Sequence, residues 1–524
     1  MPKIEITRRG VFNAAVALIH AAVVAFILIV PINAVTRAIW SLCARADGSG
    51  LSELIDVHRW RILLANTSIV CVCALVTALL LGGGFGFLIA RTNLPGRKIL
   101  HGAALLGACV PLYVSVVFIF ALIPIWQYKN STIACGVMHG LILSPLATVI
   151  LAAVFRAGDR DLEDQARLDA GAFCVFRRIT LPHAGWGVVG TGIVVALLTA
   201  TDHTIADILI VRTFAEEVYT QFILDRTETG PILVGVPVMI FLAGAALLAQ
   251  RRYRFFGDNA HQQDSRTPRR LVLEPWRGLV GAAAWAVMLA LMVPPAYALL
   301  SKIGWSKEIG RTIAPLQMEL WHTFIAAAAG AAAIVLFSIG LAWATLRARR
   351  ARWAVFIAVI ILLGMPAPVI GISLVDLLNR SNWLGAIYDS PFGVIIGYFV
   401  RFLPLGVLMM IPAVQRVALE HEHAARVDGC DWRQTQWHLY WPAVWKHAAI
   451  VGLVMMILCY GEVASTVLVA QPGWQLASVR AYTLIHFGVY RDLAVLAVMS
   501  IVYILLPWAL LVALLRRWLA ETTG

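Results

Sequence analysis

Two apolar segments of the chain carry carboxylate side chains at corresponding places. The segment TDHTIAD contains Asp202 and His203, and the segment CYGEV contains Glu462, 260 residues after Asp202. Ionisable side chains inside apolar spans are costly and usually face a cavity or bond to a neighbouring helix. Carboxylates suit hard cations, so these residues are candidates for a cation path, and the identity of a metal stays open. Arg401, in YFVRFLPL, is a fourth candidate because it could balance one acid or extend toward the membrane surface.

A polar phrase also occurs twice, as EDQARLDAG from position 163 and as EHAARVDGC from position 422. Both copies read Glu-x-x-Ala-Arg-[Leu/Val]-Asp. Acidic residues in the first turn, a Glu–Arg pair at i,i+4 and a glycine terminator predict a short helix in each copy. An aromatic second helix follows, so each copy is predicted to form a helix-turn-helix outside the bilayer. The residues singled out are Glu163, Arg167, Asp169, Gly171 and Pro182 in the first copy, and Glu422, Arg426, Asp428, Gly429 and Pro442 in the second.

The composition is that of an all-α membrane protein with many spans. Of the 524 residues, 60% are hydrophobic and only 14% are charged, and the mean hydropathy is +0.81. Apolar runs of about 20 residues, which cross a bilayer as helices, recur along the chain. Twelve spans are predicted, at about 11–36, 62–90, 99–126, 133–155, 185–209, 231–250, 278–300, 321–346, 353–378, 392–415, 447–470 and 493–515.

Basic residues predict the orientation of these spans. With the N-terminus in the cytoplasm, the cytoplasmic segments contain 28 Lys and Arg residues and the opposite face contains 13. This two-to-one excess predicts that both termini lie in the cytoplasm. The same placement accounts for the net charge of +13 without a nucleic-acid partner.

The spans divide into two equal sets. Each polar phrase falls between the fourth and fifth spans of its half, and the two phrases begin 259 residues apart. An even number of spans per half makes the halves parallel repeats about a pseudo-two-fold axis along the membrane normal. The predicted domains are a first repeat at 1–250 with its core at about 60–250, a cytoplasmic linker at 251–277, and a second repeat at 278–524 with its core at about 320–515.

The two polar phrases resemble the EAA loop of permease subunits of ATP-binding-cassette (ABC) importers. That motif begins Glu-Ala-Ala, contains a glycine several residues later and ends near Leu-Pro. Here the triplet reads Asp-Gln-Ala at 164–166 and His-Ala-Ala at 423–425. The second copy has the family's spacing from Gly429 onward, whereas the first has Ala170 at the glycine position and is one residue shorter. The resemblance covers nearly the whole chain and implies a type I importer permease fold.

The resemblance also implies partners. Two copies of an ABC ATPase subunit would each bind one EAA loop, and a periplasmic solute-binding protein would deliver the cargo. The chain has no Gly-Lys-[Ser/Thr] phosphate loop. We therefore expect no enzymatic activity and no bound cofactor in this chain, with ATP and Mg²⁺ used by the partner subunits. The expected location is the bacterial inner membrane, as a multi-pass protein in contact with the lipid bilayer.

Further motifs resemble the ferric-iron branch of the fused, two-domain permeases. They are NLPGRK at 93–98, RTFAEEVYTQF at 212–222, VRFLPL at 400–405 and YTLIHFG at 482–488, and the YTQF and YTL segments are themselves a weak repeat. The resemblance implies ferric iron as cargo. Related fused permeases carry thiamine, and separate-chain relatives carry sulfate, polyamines or phosphonates. Thiamine or another small solute is therefore the alternative cargo.

Two other classes of protein fit less well. A secondary transporter with six plus six spans would also have parallel halves, and ARTNLPGRK is similar to the basic loop of the major facilitators. The acidic residue of that loop is missing, however, and such a transporter has no reason to repeat an EAA-like hairpin. A membrane-embedded enzyme lacks support because no His/Asp/Cys cluster with metal-ligand spacing recurs near one membrane face.

Overall fold

The secondary structure of the protein is helical throughout the part of the chain that the structure describes. The computed structural model describes residues 24–25, 28–33, 35–36, 57–122, 127–156, 160–225, 244, 270–303, 309–347, 349–415, 417 and 419–523. An isolated β-bridge between Thr92 and Leu271 is the one exception among these residues. The all-α class is therefore confirmed.

The helices follow the same order in the two halves. The first half contains α1 (Val57–Arg91), α2 (Arg97–Ala108), α3 (Leu112–Leu122), α4 (Thr132–Arg156), α5 (Arg160–Asp169), α6 (Ala172–Val175), α7 (Leu181–Thr201), α8 (Thr204–Ile208) and α9 (Phe214–Asp225). The second half contains α10 (Arg277–Ile303), α11 (Ile309–Arg347), α12 (Arg349–Leu363), α13 (Ala367–Leu378), α14 (Trp383–Tyr388), α15 (Phe392–Gln415), α16 (Leu419–Val427), α17 (Trp432–Thr435), α18 (Trp441–Tyr460), α19 (Thr466–Val469), α20 (Ala477–Phe487) and α21 (Tyr490–Thr523). Helices α1 to α9 correspond in order to α11–α13 and α15–α20, and α14 is an addition. The domain boundaries themselves stay a prediction.

Seven of the described helices are long and apolar enough to cross a membrane, or nine if each of two bent helix pairs is one span. These nine coincide with nine of the twelve predicted spans. The predicted span at 231–250, most of the span at 11–36 and linker residues 251–269 lie outside the described residues.

Proline breaks two of the predicted spans. The span expected at 353–378 consists of α12 and α13, which meet at 104° just before and after Pro366. The helix expected at 99–126 is also broken, because α2 ends at Ala108 and α3 begins after Pro111, and residues 123–126 lie outside the described residues. Proline cannot donate a backbone hydrogen bond and disfavours the helical conformation of the preceding residue. The two breaks lie at the same place in the helix order of each half.

Residues near the start of each half contact the other half. Met288 of α10 is buried in a cluster with side chains of α1 and α2, and the Trp285 indole N–H donates to the carbonyl of Pro95 at 3.3 Å. In the opposite direction, the Asn33 amide donates to Asp376 Oδ2 at 2.8 Å. These contacts connect the two halves in both directions.

The end of the predicted linker is attached to the first half. The Leu271 N–H donates to the carbonyl of Arg91 at 2.7 Å, and the Asn93 N–H donates to the carbonyl of Leu271 at 3.3 Å. The Asn93 amide is 3.2 Å from both oxygens of Glu274. Hydrogen bonds from its own backbone N–H and from Asn93 hold the pKa of Glu274 below its usual value. These contacts fix residues 270–274 against the loop that follows α1.

Candidate functional site

Both polar phrases form the predicted helix-turn-helix, as α5 with α6 and as α16 with α17. A π-helical turn then joins each hairpin to a long apolar helix, at Phe176–Thr180 and Gln436–Tyr440. Pro182 and Pro442 lie in the first turn of α7 and α18, directly after these π turns. A proline ring within a continuous helix clashes with the carbonyl four residues earlier, and a π turn widens the helix at that point. The hairpin and the long helix are thus one continuous structure.

Each hairpin exposes one apolar side chain at the same position of the phrase. Leu168 and Val427, each between the Arg and the Asp of its copy, are both 86% exposed. The neighbouring Asp169 and Asp428 are also exposed. In the second copy Trp437 adds a further large apolar surface, with 63% of the residue exposed. Apolar side chains exposed at equivalent places in both repeats indicate a contact surface on each hairpin.

Glu163 is buried and does not bond to the residue that the sequence suggested. Nη2 of Arg91 lies 2.5 Å from both carboxylate oxygens of Glu163, and the Thr180 hydroxyl donates to Glu163 Oε1 at 2.8 Å. Nη1 of Arg91 also donates to the carbonyl of Phe155 at 3.3 Å. The expected i,i+4 pair with Arg167 is therefore wrong, because the carboxylate faces the protein rather than solvent. One ion pair connects the ends of α1 and α4, the hairpin helix α5 and the π turn before α7.

The second hairpin is attached in a similar way. Glu422 is 4% exposed, and the Tyr440 hydroxyl donates to its Oε2 at 2.8 Å. Tyr440, like Thr180 in the first copy, is the last residue of the π turn. The side chain of Arg426 lies outside the described residues, so its expected pairing with Glu422 stays a prediction.

The turns of the two hairpins differ. Gly429 has φ of +81°, and the Cys430 N–H bonds to the carbonyl of Ala425 at 2.9 Å, as in a Schellman helix end. Asp431 and Gln434 then cap the next helix reciprocally, at 2.7 and 2.8 Å. The positive φ expected at Gly429 is confirmed.

In the first copy, Gly171 does not adopt a left-handed conformation. Its carbonyl accepts from the N–H groups of Cys174 and Val175 at the start of the next helix. The turn of the first hairpin is one residue shorter than that of the second, and it has neither a left-handed glycine nor a capping aspartate.

The two predicted intramembrane carboxylates lie at equivalent helix ends, and each contacts a basic side chain of its own half. Asp202 follows α7, and its Oδ2 is 3.3 Å from Nε2 of His139 on α4. Glu462 follows α18, and its Oε2 is 2.7 Å from Nε of Arg401 on α15. Arg401 therefore balances an acid, Glu462, rather than extending toward the membrane surface. The contact between His139 and Asp202 likewise joins two helices, α4 and the end of α7.

The same carboxylates cap the short helices that follow. Asp202 Oδ2 accepts from the Ile205 N–H at 3.3 Å, and Glu462 Oε1 accepts from the Ser465 N–H at 2.8 Å. Each acid thus binds a backbone N–H three residues later and a basic side chain on a neighbouring helix. A role of either acid in a cation path stays a prediction.

Glu462→Gln is expected to reduce the amount of folded protein more than Asp202→Asn. Loss of the carboxylate leaves the Arg401 cation buried without its counter-charge, which costs about 3–5 kcal/mol. His139 can lose its proton when Asp202 becomes an amide, so that change costs less. Membrane abundance and the thermal melting of the purified protein measure both. Equal abundance of the two variants and the wild type would contradict the structural role of the Glu462–Arg401 pair.

A polar cluster lies where the two halves meet, and of its members only His203 was among the predicted site residues. The Tyr482 hydroxyl of α20 is 2.5 Å from Asp207 Oδ2 of α8 and 3.2 Å from the Tyr219 hydroxyl of α9. Nε2 of His486 is 3.1 Å from the same Asp207 oxygen. The ring of His203, a predicted path residue, is fully buried and stacks on Tyr219 with centroids 4.4 Å apart. We call these five residues the seam cluster.

The seam cluster had one signal in the sequence, which is the weak repeat of YTQF and YTL. The repeat places Tyr219 and Tyr482 on equivalent helices, and the structure brings their hydroxyls together. Among the described residues, no group of three or more His, Cys, Asp or Glu side chains could hold a metal ion.

Comparison with known proteins agrees with the duplicated hairpins. Residues 334–522 match the family described as binding-protein-dependent transport system inner membrane component. This part of the chain is therefore similar to a permease domain. The matched residues include the C-terminal part of α11, the second hairpin and α18 to α20. With the helix order above, the match confirms the type I importer permease fold.

The relatives of the permease differ in their named cargo. The chain is 23% identical over 402 residues to the Fe(3+)-transport system permease protein FbpB 2 of Haemophilus influenzae, a match that covers 74% of this chain and 77% of the relative. It is 28% identical over 207 residues to the trehalose transport system permease protein SugB of Mycobacterium tuberculosis, covering 36% and 72%. It is 30% identical over 135 residues to the diacetylchitobiose uptake system permease protein NgcG of Streptomyces coelicolor, covering 24% and 43%.

Proposed function

We propose that this chain is the fused two-half permease subunit of an ATP-driven ABC importer for ferric iron. It would take cargo from a periplasmic binding protein and release it into the cytoplasm by alternating access. In this proposal the chain lies in the bacterial inner membrane with both termini in the cytoplasm. The chain itself would bind no nucleotide, and two partner ATPase subunits would hold ATP and Mg²⁺.

The duplicated hairpin is the observation that carries the transport role. Two hairpins of the same construction support two copies of one ATPase subunit, each held by the exposed apolar residue Leu168 or Val427. The buried carboxylates Glu163 and Glu422 attach the hairpins firmly to the helices behind them. A hairpin fixed in this way would move its long helix when the ATPase moves.

The long helices give this movement a direction. Helix α7 has 21 residues, or about 31 Å of helix measured along its path, which is close to the thickness of a bilayer's hydrocarbon, and it bends by 44° between Gly185 and Gly187. It begins at the first hairpin and ends at Asp202, next to the seam cluster. Helix α18 makes the same connection in the second half and ends beside Glu462. Closure of the ATPase pair at one end would thus change the contact between the halves at the other end.

Two observations support ferric iron as cargo. The match to the ferric permease is longer than either predicted repeat, so it includes parts of both halves. The seam cluster is also rich in the carboxylate, phenol and imidazole groups that bind hard or borderline cations. The relatives named for trehalose and diacetylchitobiose favour a sugar as the second candidate cargo, since their identities are higher over shorter stretches.

Uptake by the host cell tests the cargo. We expect deletion of this gene to lower the uptake of radioactive ferric citrate, and the wild-type gene to restore it, with no change in labelled trehalose or thiamine uptake. A mutation that inactivates the phosphate-binding loop of the co-purified ATPase should lower iron uptake in the same way as the deletion. Loss of trehalose or thiamine uptake with normal iron uptake would assign the importer to that solute instead.

A further inference from the structure

The seam cluster lies at the place where a cargo would pass between the halves. Tyr219 and Tyr482 lie on equivalent helices, α9 and α20, and their hydroxyls are 3.2 Å apart. When equivalent residues of a pseudo-two-fold repeat touch, they lie beside its axis. In parallel repeats this axis runs along the membrane normal, between the halves. The two hydroxyls therefore lie beside this axis, on the route of a solute that moves along it.

The polar atoms of the cluster converge on one another. Asp207 Oδ2 is within 3.1 Å of both the Tyr482 hydroxyl and His486 Nε2. The side chains of Asp207 and His486 are 23% and 40% exposed, so the cluster is open on one side. The first half supplies the carboxylate and one phenol, and the second half supplies the imidazole and the other phenol. Separation of the halves would thus move these four groups apart, and approach of the halves would bring them together.

His203 gives an independent indication that the cluster binds something. It is fully buried, and neither of its ring nitrogens has a hydrogen-bond partner among the described residues. A buried polar side chain without a partner costs free energy and is rare in native structures. Its ring lies against Tyr219, with ring centroids 4.4 Å apart, and 6.4 Å from the ring of Tyr482. An imidazole held unsatisfied beside two phenols is available to a ligand.

We propose that the seam cluster is a transit site for a ferric ion, with Tyr219, Tyr482, Asp207 and His486 as its ligands and His203 beside them. This inference rests on the proposed iron cargo and names the residues that the ion would meet. Two phenol oxygens, a carboxylate and an imidazole form a hard and borderline donor set, which fits a small trivalent cation better than a sugar. Because the ligands come from both halves, the movement of the halves would assemble and release the site.

The test uses the purified complex in nanodiscs with ferric nitrilotriacetate as the probe. Ferric ion bound by tyrosine phenolate absorbs visible light, so we expect a new absorption band in the wild type. The band should disappear in the double variant Tyr219→Phe/Tyr482→Phe. Tyr113→Phe is the matched control, because the Tyr113 hydroxyl also joins the two halves but bonds to Ser500, at 2.9 Å, instead of a carboxylate. The control should keep the band.

Uptake in cells gives the second readout. Iron uptake should fall about tenfold or more in the double variant and in Asp207→Asn, and remain near wild type in Tyr113→Phe. Normal size-exclusion profiles and membrane abundance would show that the variants fold. Absence of the band in the wild type, or wild-type uptake in the double variant, would overturn the transit site. A rise in ATP hydrolysis without binding protein, together with unchanged iron uptake, would show that the cluster only holds the halves together. If the wild type imports no iron at all, ferric iron is not the cargo. The absorption band does not depend on uptake, so it tests separately whether the seam cluster binds ferric ion.

Discussion

Gly429→Asp is expected to abolish ATPase association and transport while membrane insertion stays near normal. Gly429 has φ of +81°, a conformation that costs an L-residue about 1–2 kcal/mol. Nothing lies within 4 Å of an added Cβ, so the substitution causes backbone strain and adds a charge without a steric clash. The strain acts on the Schellman turn directly after Val427, the exposed apolar residue of this hairpin.

Gly171→Asp is the matched control for this prediction. It introduces the same charge at the corresponding turn, also with nothing within 4 Å, but at a residue without positive φ. We expect it to retain more ATPase binding than Gly429→Asp. Pull-down of the ATPase with each variant, with membrane abundance measured in parallel, decides the question. Full ATPase binding and full uptake by Gly429→Asp would show that the second hairpin does not dock as proposed, and would favour a secondary transporter.

Arg91→Ala is expected to destabilise the first hairpin and to uncouple it from transport. The substitution leaves the Glu163 carboxylate buried without its ion-pair partner, and breaking a buried pair in this way costs about 3–5 kcal/mol. Glu163→Ala should have a similar effect, because Arg91 would then be the unpaired charge. Either change removes the connection between α5 and the ends of α1 and α4. ATP hydrolysis would then continue with little cargo movement.

Two further variants separate this ion pair from a general effect of lost charge. Arg167→Ala removes the arginine that the sequence pattern had paired with Glu163, and it should change melting temperature and uptake little. The double variant Arg91→Met/Glu163→Leu replaces both charges by apolar groups, and it should melt closer to the wild type than either single variant. Thermal unfolding of the purified complex and iron uptake are the measurements. A larger loss with Arg167→Ala than with Arg91→Ala would show that the contact with Arg91 is not the important one.

Features that depend on local spacing could be predicted from the sequence. Apolar run length predicted the spans, and the two that were broken, at 99–126 and 353–378, contain Pro111 and Pro366 at the break. The duplicated phrase predicted both hairpins and the left-handed Gly429, because helix termination and turn conformation are properties of a few consecutive residues. The equivalence of Asp202 and Glu462 also followed, since a repeat places matched residues on matched helices.

The partners of polar side chains could not be predicted in this way. An i,i+4 spacing suggested Arg167 for Glu163, yet the partner is Arg91, 72 residues earlier in the chain. An exposed i,i+4 pair contributes only about 0.3–0.5 kcal/mol, so packing of α5 with its glutamate inward outweighs it. For Asp202 and Glu462 the sequence left a cavity and a neighbouring helix as alternatives, and the structure brings a histidine of α4 and an arginine of α15 against them.

By itself, the sequence determined that the protein is a duplicated helical membrane protein with one polar hairpin per half. Hydropathy, helix ends and repeated motifs depend on residues that are close together in the sequence, so they can be recognised without the fold. Only the tertiary structure decided which residues of the two halves meet at the pseudo-two-fold axis. Tyr219 and Tyr482 are 263 residues apart, and they meet because the two halves pack about a common axis. The physical reason is that a side chain's partner depends on which helix surfaces bury each other, and that choice is made by the whole fold.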